Sequence, residues 1–207
     1  MHLARIPGLG SLLFREAFCR INENGKKTAY LTFDDGPIPE VTPAILDILS
    51  RYKVKATFFC VGDNVKKYPE IFQRLIAEGH TVGNHTFHHM DGWKTNDDNY
   101  MQDVAQCAEL VKSNLFRPPY GRIKFNQYKH IKEKYKVILW DVLSGDYDSR
   151  LDAQKCFGII KKHTRPGSIL VFHDNVKTQN KIPELLTKTL DFMRDSGYTL
   201  KPISPTI

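Results

Sequence analysis

The chain lacks any Cys-x-x-Cys pair: its four cysteines, Cys19, Cys60, Cys107 and Cys156, lie far apart in 207 residues, which removes zinc-finger spacing. Cys60 ends an apolar run, and Cys107 and Cys156 fall in helix-like stretches, so they read as small buried hydrophobes, with a disulfide left open by sequence alone. No stretch approaches the roughly 20 apolar residues that cross a bilayer. Leu3, Ile6, Leu9, Leu12, Leu13, Phe14 and Phe18 are interrupted by Arg5, Pro7, Arg15 and Glu16, leaving no signal-peptide core or small-residue cleavage site. A cytoplasmic protein is therefore expected, with residues 1–25 an extension packed on the domain and an interfacial membrane helix as the alternative. Internal repeats, linkers and low-complexity segments are also missing, as are a GxSxG turn and a catalytic-cysteine signature. Lys and Arg number 30 against 23 Asp and Glu, but the basic residues stand in mixed company (Lys26-Lys27, Lys66-Lys67, Lys161-Lys162). The excess implies a solvated surface and no nucleic-acid face.

What is present is an alternation. Apolar, β-branched and aromatic runs at 28–33, 56–61, 81–84, 115–117, 137–142, 168–173 and 198–203 predict strands. Between them, 42–52, 64–78, 98–114, 124–135, 152–163 and 182–196 predict helices, with Thr42-Pro43 opening one, Asp63 capping the next and Glu78-Gly79 ending it. Strands alternating with helices imply parallel pairing through crossovers. About seven strands in one domain suit an α/β fold of the distorted, incomplete (β/α)7-barrel kind better than an open two-faced sheet.

The polar residues that need explaining share one address. Asp34-Asp35 follow the first strand, His85 and His89 the third, Arg117 closes the fourth, Asp146 lies past the fifth and His173 ends the sixth. The carboxyl ends of parallel barrel strands converge on one rim, where barrel active sites sit. A bare Asp-Asp pair is ordinarily a strand exit. Two adjacent carboxylates repel, however, and one that holds a cation while the other abstracts a proton resolves the conflict. His85 and His89, four apart, fall on one face of a helical turn and can chelate one ion; by the same geometry His85/His88 competes. Two His and one Asp match a catalytic zinc site with positions open for water and substrate. Arg117, ahead of Pro118-Pro119-Tyr120-Gly121, is either part of a stiff loop or a bidentate partner for a carboxylate. His173, at the mouth of a buried strand, is either structural or a general acid.

TFDDGP, HTFHH, RPPYG and the late apolar strand ending in His173 together resemble the successive signatures of the polysaccharide deacetylases, the NodB-like carbohydrate esterases. The resemblance runs from Thr28 to the C-terminus and makes residues 26–207 one such domain. It implies a single divalent metal, zinc before cobalt or nickel, held by Asp35, His85 and His89. It further implies Asp34 as catalytic base, Arg117 as the residue that orients it, His173 as general acid and Asp146 as the acid that tunes His173. The Tyr120 N–H would hold the oxyanion. The implied activity is removal of N-acetyl groups from an N-acetylglucosamine-containing oligo- or polysaccharide, the one partner expected.

Two departures bear on substrate fit. Leu143-Ser144-Gly145-Asp146-Tyr147 replaces an Asp-x-x-Asp-Trp pattern, and Val171 stands where a Leu is usual. Tyr147 and Val171 are thus expected to shape the groove and the acetyl pocket. The rival readings are an O-acetyl esterase or other small-amide hydrolase on the same barrel, and a sugar-binding module without catalysis, against which every catalytic position is filled.

Overall fold

A computed structural model describes residues 16–205; the expectations placed on residues 1–15 lie outside it. Strand β1 (Thr28–Asp34) is central. Around it run β2 (Thr57–Cys60), β3 (Thr81–Asn84), β4 (Leu115–Phe116), β5 (Lys136–Val137), β6 (Val142–Leu143), β7 (Ile169–His173) and β8 (Thr199–Lys201). All pairings between these strands are parallel, in the order β5-β4-β3-β2-β1-β7-β6, with β8 added against the start of β1. The helices are α1 (Thr42–Arg51), α2 (Gly62–Lys67), α3 (Pro69–Ala77), α4 (Asp97–Leu110), α5 (Phe125–Ile131), α6 (Ala153–His163) and α7 (Ile182–Asp195). This is the incomplete (β/α) barrel expected.

Side-chain alternation on the strands builds the two faces of the wall. Ala29, Leu31 and Phe33 of β1 point outward into a core shared with α1 and α7, including Ile45, Leu49, Leu186 and Leu190. Tyr30 of β1, Phe59 of β2, Leu115 of β4 and Ile169 of β7 form a separate apolar cluster, the barrel interior, with Ile21 and Ile203. Cys60, Cys107 and Cys156 are buried, as their contexts suggested, and are free thiols. Among the described residues no helix is long and apolar enough to cross a membrane.

Three local expectations need correction. The strand predicted over Val137–Val142 is broken: β5 pairs with β4 and β6 pairs with β7, at opposite ends of the sheet. One short segment therefore bridges the two edges, and Phe18 pairs alongside the break, its N–H donating to Val137 O and its O accepting from Leu139 N–H, both 2.9 Å. The helix predicted over Asn64–Glu78 is two helices, because Pro69 disfavours the helical conformation at Tyr68, which sits at φ −129°, ψ 57°. Asp63 lies inside the first turn of α2 rather than at its cap, which is Val61.

Candidate active site

The register of the sheet assembles the rim. Asp34 is paired with Phe59 on one side and His173 on the other, Cys60 with Asn84, and Asn84 with Phe116. The residues one step beyond these, Asp35, His85 and Arg117, leave the barrel at nearly the same level. Residues up to 140 apart in sequence meet there because parallel strands end on the same side.

Arg117 is fully buried, and the broken strand explains how. Where β5 stops, the carbonyls of Ile138 and Leu139 accept from the guanidinium, Nε to Ile138 O at 3.2 Å and Nη2 to Leu139 O at 3.0 Å. Nη1 donates to Asp34 Oδ1 at 2.6 Å and to Thr32 Oγ1 at 2.8 Å. The guanidinium lies 4.1 Å from the centre of the Phe59 ring. Gly83 makes room for that ring, since a Cβ there would lie 2.5 Å from Phe59 Cδ1. A buried cation with its donors satisfied thus fixes the Asp34 carboxylate in one rotamer.

Asp35 turns away from the strand with φ at 91°. Asn64 Nδ2 donates to its backbone O at 2.7 Å and Asn175 Nδ2 to its Oδ2 at 2.6 Å. This leaves Oδ1 facing His89 Nε2 at 3.0 Å and His85 Nε2 at 3.6 Å. Among the described residues, Asp35, His85 and His89 form a group whose ligand atoms all lie within 4.8 Å of one another. The donor set fits a divalent cation on independent grounds. His85 Nδ1 lies 2.7 Å from Arg117 O and must donate to that carbonyl, so Nε2 of a neutral ring presents a lone pair toward a carboxylate. Either protons or a cation must separate such acceptors. Burial raises the Asp35 pKa, but where protons fill that role, N–H groups of His85 and His89 outweigh it and hold the carboxyl well below the usual range.

The two histidines do not share a face of a helical turn as their spacing suggested. Residues 85–90 form an irregular loop in which Thr86 (φ 62°) and His89 (φ 56°) both adopt left-handed conformations. Asn84 Oδ1 accepts from Thr86 N–H, and buried Asp103 accepts from the N–H groups of Phe87 and His88. The His88 ring is drawn to the same Asp103, Nδ1 to Oδ1 at 2.5 Å. His89 faces Asp35, whereas His88 faces Asp103.

His173 stands on the other side of Asp34. Its Nδ1 lies 2.7 Å from Asp146 Oδ1 and its backbone N–H donates to Asp146 Oδ2 at 2.7 Å, with Asp146 fully buried. Burial lowers the imidazole's pKa, but Asp146, with Asp35 and Asp34, more than offsets it and raises the value to about 9. With the Nδ1 proton committed to Asp146, the second ring nitrogen is the one available to a reacting group. Tyr147 packs edge-on against this ring at 5.2 Å. Tyr120, in a short 3-10 turn with φ at 59°, sets its ring 4.7 Å from that of His89. Val171 is buried in β7, with the same orientation as His173 and one pleat below it.

Sequence reasoning missed the supports. Asn64, Asn175, Asp103 and Asp174 support the candidate site residues and their loops without belonging to any motif. Asp174 accepts from Gly36 N–H and Thr42 Oγ1, and burial pushes its carboxyl up to about 8. Gly36 is required there, because a Cβ would lie 1.8 Å from Asp174 Oδ2. Only Asp103 left a signal: an acid on the buried stripe of α4, among Tyr100, Val104 and Cys107.

An Asp-His-His cluster between an arginine-bound carboxylate and an aspartate-bound imidazole, at the rim of a parallel barrel, defines a hydrolase. The chain belongs to the polysaccharide deacetylase family, whose sequence model matches residues 21–136. It is similar to a peptidoglycan-N-acetylglucosamine deacetylase of Bacillus cereus, 36% identical over 184 residues that cover 81% of this chain and 66% of that one. It is also similar to a chitooligosaccharide deacetylase of Bradyrhizobium, 33% identical, covering 73% and 72% of the two chains. In structure it resembles a peptidoglycan N-acetylglucosamine deacetylase solved in complex with 4-naphthalen-1-yl-N-oxidanyl-benzamide. The TM-score is 0.87 at 31% identity, with 94% of each chain covered.

Proposed function

We propose that the chain removes N-acetyl groups from N-acetylglucosamine-containing oligo- or polysaccharide by metal-dependent hydrolysis, releasing acetate and a free amino sugar. The observation that carries this reading is the pair of flanking contacts, Arg117 to Asp34 at 2.6 Å and Asp146 to His173 at 2.7 Å, on either side of the Asp-His-His cluster. A base and an acid, each with a buried counter-ion, are what amide hydrolysis needs: the amine leaves only when protonated, and the water attacks only when deprotonated. The activities named for the similar proteins support the same bond and the same class of sugar.

Asp35, His85 and His89 would hold one divalent ion, with zinc suited to two imidazoles and a carboxylate and cobalt or nickel as substitutes. A cation bound there supplies Lewis acidity toward the acetamide carbonyl. Asp34, fixed by Arg117, accepts a proton from the attacking water. The Tyr120 N–H donates to the developing oxyanion, where preorganised dipoles contribute most. His173 delivers its proton to the departing sugar nitrogen, and Asp146 keeps the imidazole oriented for that transfer. Tyr147 walls the groove beside His173, and Val171 lies beneath the acyl position.

The test is acetate release by the metal-loaded protein from N-acetylglucosamine oligomers and, in parallel, from O-acetylated sugars. Release from the amide substrates, abolished by a chelator and restored by zinc, is expected. Release from the O-acetylated sugars alone would make the protein an esterase, and no release from either would leave only sugar binding.

A further inference from the structure

Among the described residues seven large hydrophobic side chains are exposed: Ile76, Trp93, Leu110, Tyr120, Phe125, Tyr147 and Val176. Five of them, Trp93, Tyr120, Phe125, Tyr147 and Val176, lie in the segments that follow β3, β4, β6 and β7, on the side where the strands end. Scattered exposed hydrophobes need no explanation, but Trp93 and Tyr120 are joined by one guanidinium and lead to the site. Trp93 is the most exposed of them at 61%, and its loop is not loose. Trp93 N–H donates to Asp91 Oδ1 at 3.0 Å and the indole Nε1–H to Ile123 O at 3.3 Å. Gln127 Nε2 donates to the carbonyls of Gly92 and Thr95. A Cβ on Gly92 would lie 2.5 Å from Arg122 O, so the glycine allows the two segments to touch.

A ladder of rings leads from this indole to the reaction centre. The Arg122 guanidinium lies 5.2 Å from the Trp93 ring centre and 5.7 Å from that of Tyr120, whose own ring is 4.7 Å from His89. Arg122 is itself neutralised by Asp91, Nη1 to Oδ2 at 2.7 Å. Trp93 is thus a flat apolar surface, anchored by its nitrogen edge, beside a guanidinium whose charge Asp91 offsets, on the His89 side of the site. The C–H face of an uncharged pyranose matches such a surface, and a preorganised aromatic loses little freedom on binding it.

We propose that Trp93, steadied by Arg122, is a binding subsite for a second, uncharged pyranose ring next to the one that carries the scissile acetyl group. The protein then selects oligomers over the single sugar. This rests on the deacetylase reading for the placement of the first ring.

Trp93 and Trp140 are the two tryptophans of the chain, and Trp140 is packed beneath Gly121 with its Nε1 buried. Indole fluorescence of metal-loaded Asp34→Asn protein, compared with the same protein carrying Trp93→Phe, isolates the Trp93 signal as N-acetylglucosamine or its tetramer is titrated. A spectral change with the tetramer and little with the monomer is expected. By calorimetry, Trp93→Ala should weaken tetramer binding about tenfold, the order expected for one lost aromatic stack. The ratio of kcat/KM for tetramer over monomer should fall by a similar factor, and Trp93→Phe should retain most of it. An unchanged ratio in Trp93→Ala overturns the subsite while acetate release leaves the deacetylase reading standing. Tetramer binding through Trp93 without acetate release does the reverse. Tighter binding of a carboxylated oligomer overturns the uncharged-ring assignment. A change in sedimenting mass in Trp93→Ala at unchanged tetramer affinity makes the patch a protein contact and overturns the proposal.

Discussion

Replacing Asp146 by Asn isolates what the buried acid does for His173. In the wild type the imidazole is raised to about 9 even though burial alone would lower it, so Asp146 and the other carboxylates outweigh desolvation. In the proposed mechanism the reacting form is the protonated one: it is fully present well below pH 9 and lost as pH rises through that value, which is where the alkaline limb of kcat/KM is expected. A cation on Asp35 cancels that carboxylate's share and draws the limb down somewhat, leaving the contribution of Asp146. In Asp146→Asn the largest raising contribution is lost and the imidazole falls toward its ordinary value near 6.5. At pH 8 the protonated fraction then drops from at most about nine-tenths to no less than about three-hundredths, a loss of up to roughly thirtyfold. The loss should shrink as pH is lowered toward 6. The assay is the pH profile of kcat/KM for both proteins, with elemental analysis to show equal metal content. An alkaline limb that stays in place in Asp146→Asn would refute His173 as the acid whose proton Asp146 holds.

Asp34→Asn should lower the rate by roughly 10²–10⁴-fold at nearly full metal content, whereas Asp35→Asn should lose metal on dialysis; elemental analysis distinguishes the two, and the opposite pattern would exchange their roles. Arg117→Ala strips Asp34 and the Ile138 and Leu139 carbonyls of their donors at once, and should cost about 3–5 kcal/mol by denaturant unfolding. A cost under about 1 kcal/mol would mean that water replaces the guanidinium inside the barrel. Val171→Leu should reduce kcat/KM on an N-propionyl sugar more than on the N-acetyl parent, by no more than about 1–3 kcal/mol in discrimination, and an unchanged ratio would remove Val171 from the acyl pocket.

Sequence alone determined the strand–helix alternation, and with it the class of fold, because period-2 and longer-period apolar patterns are local properties of the chain. It also placed the candidate site residues on one rim: a residue just past the end of a parallel strand has nowhere else to go. What it could not determine were the features set by contacts between distant segments. Nothing local marks Val137–Val142 as a strand that ends on one sheet edge and resumes on the other. That break exposes the two carbonyls that bury Arg117. The spacing of His85, His88 and His89 suggested a helical turn, but Asp103, from a helix that follows, holds the loop out of that conformation and claims His88. Asn64, Asn175 and Asp174 carry no periodic signature, since their roles exist only once the loops after β2 and β7 converge on β1. Hydrogen-bond partners chosen across the rim are a property of the assembled sheet, and only the tertiary structure could assign them.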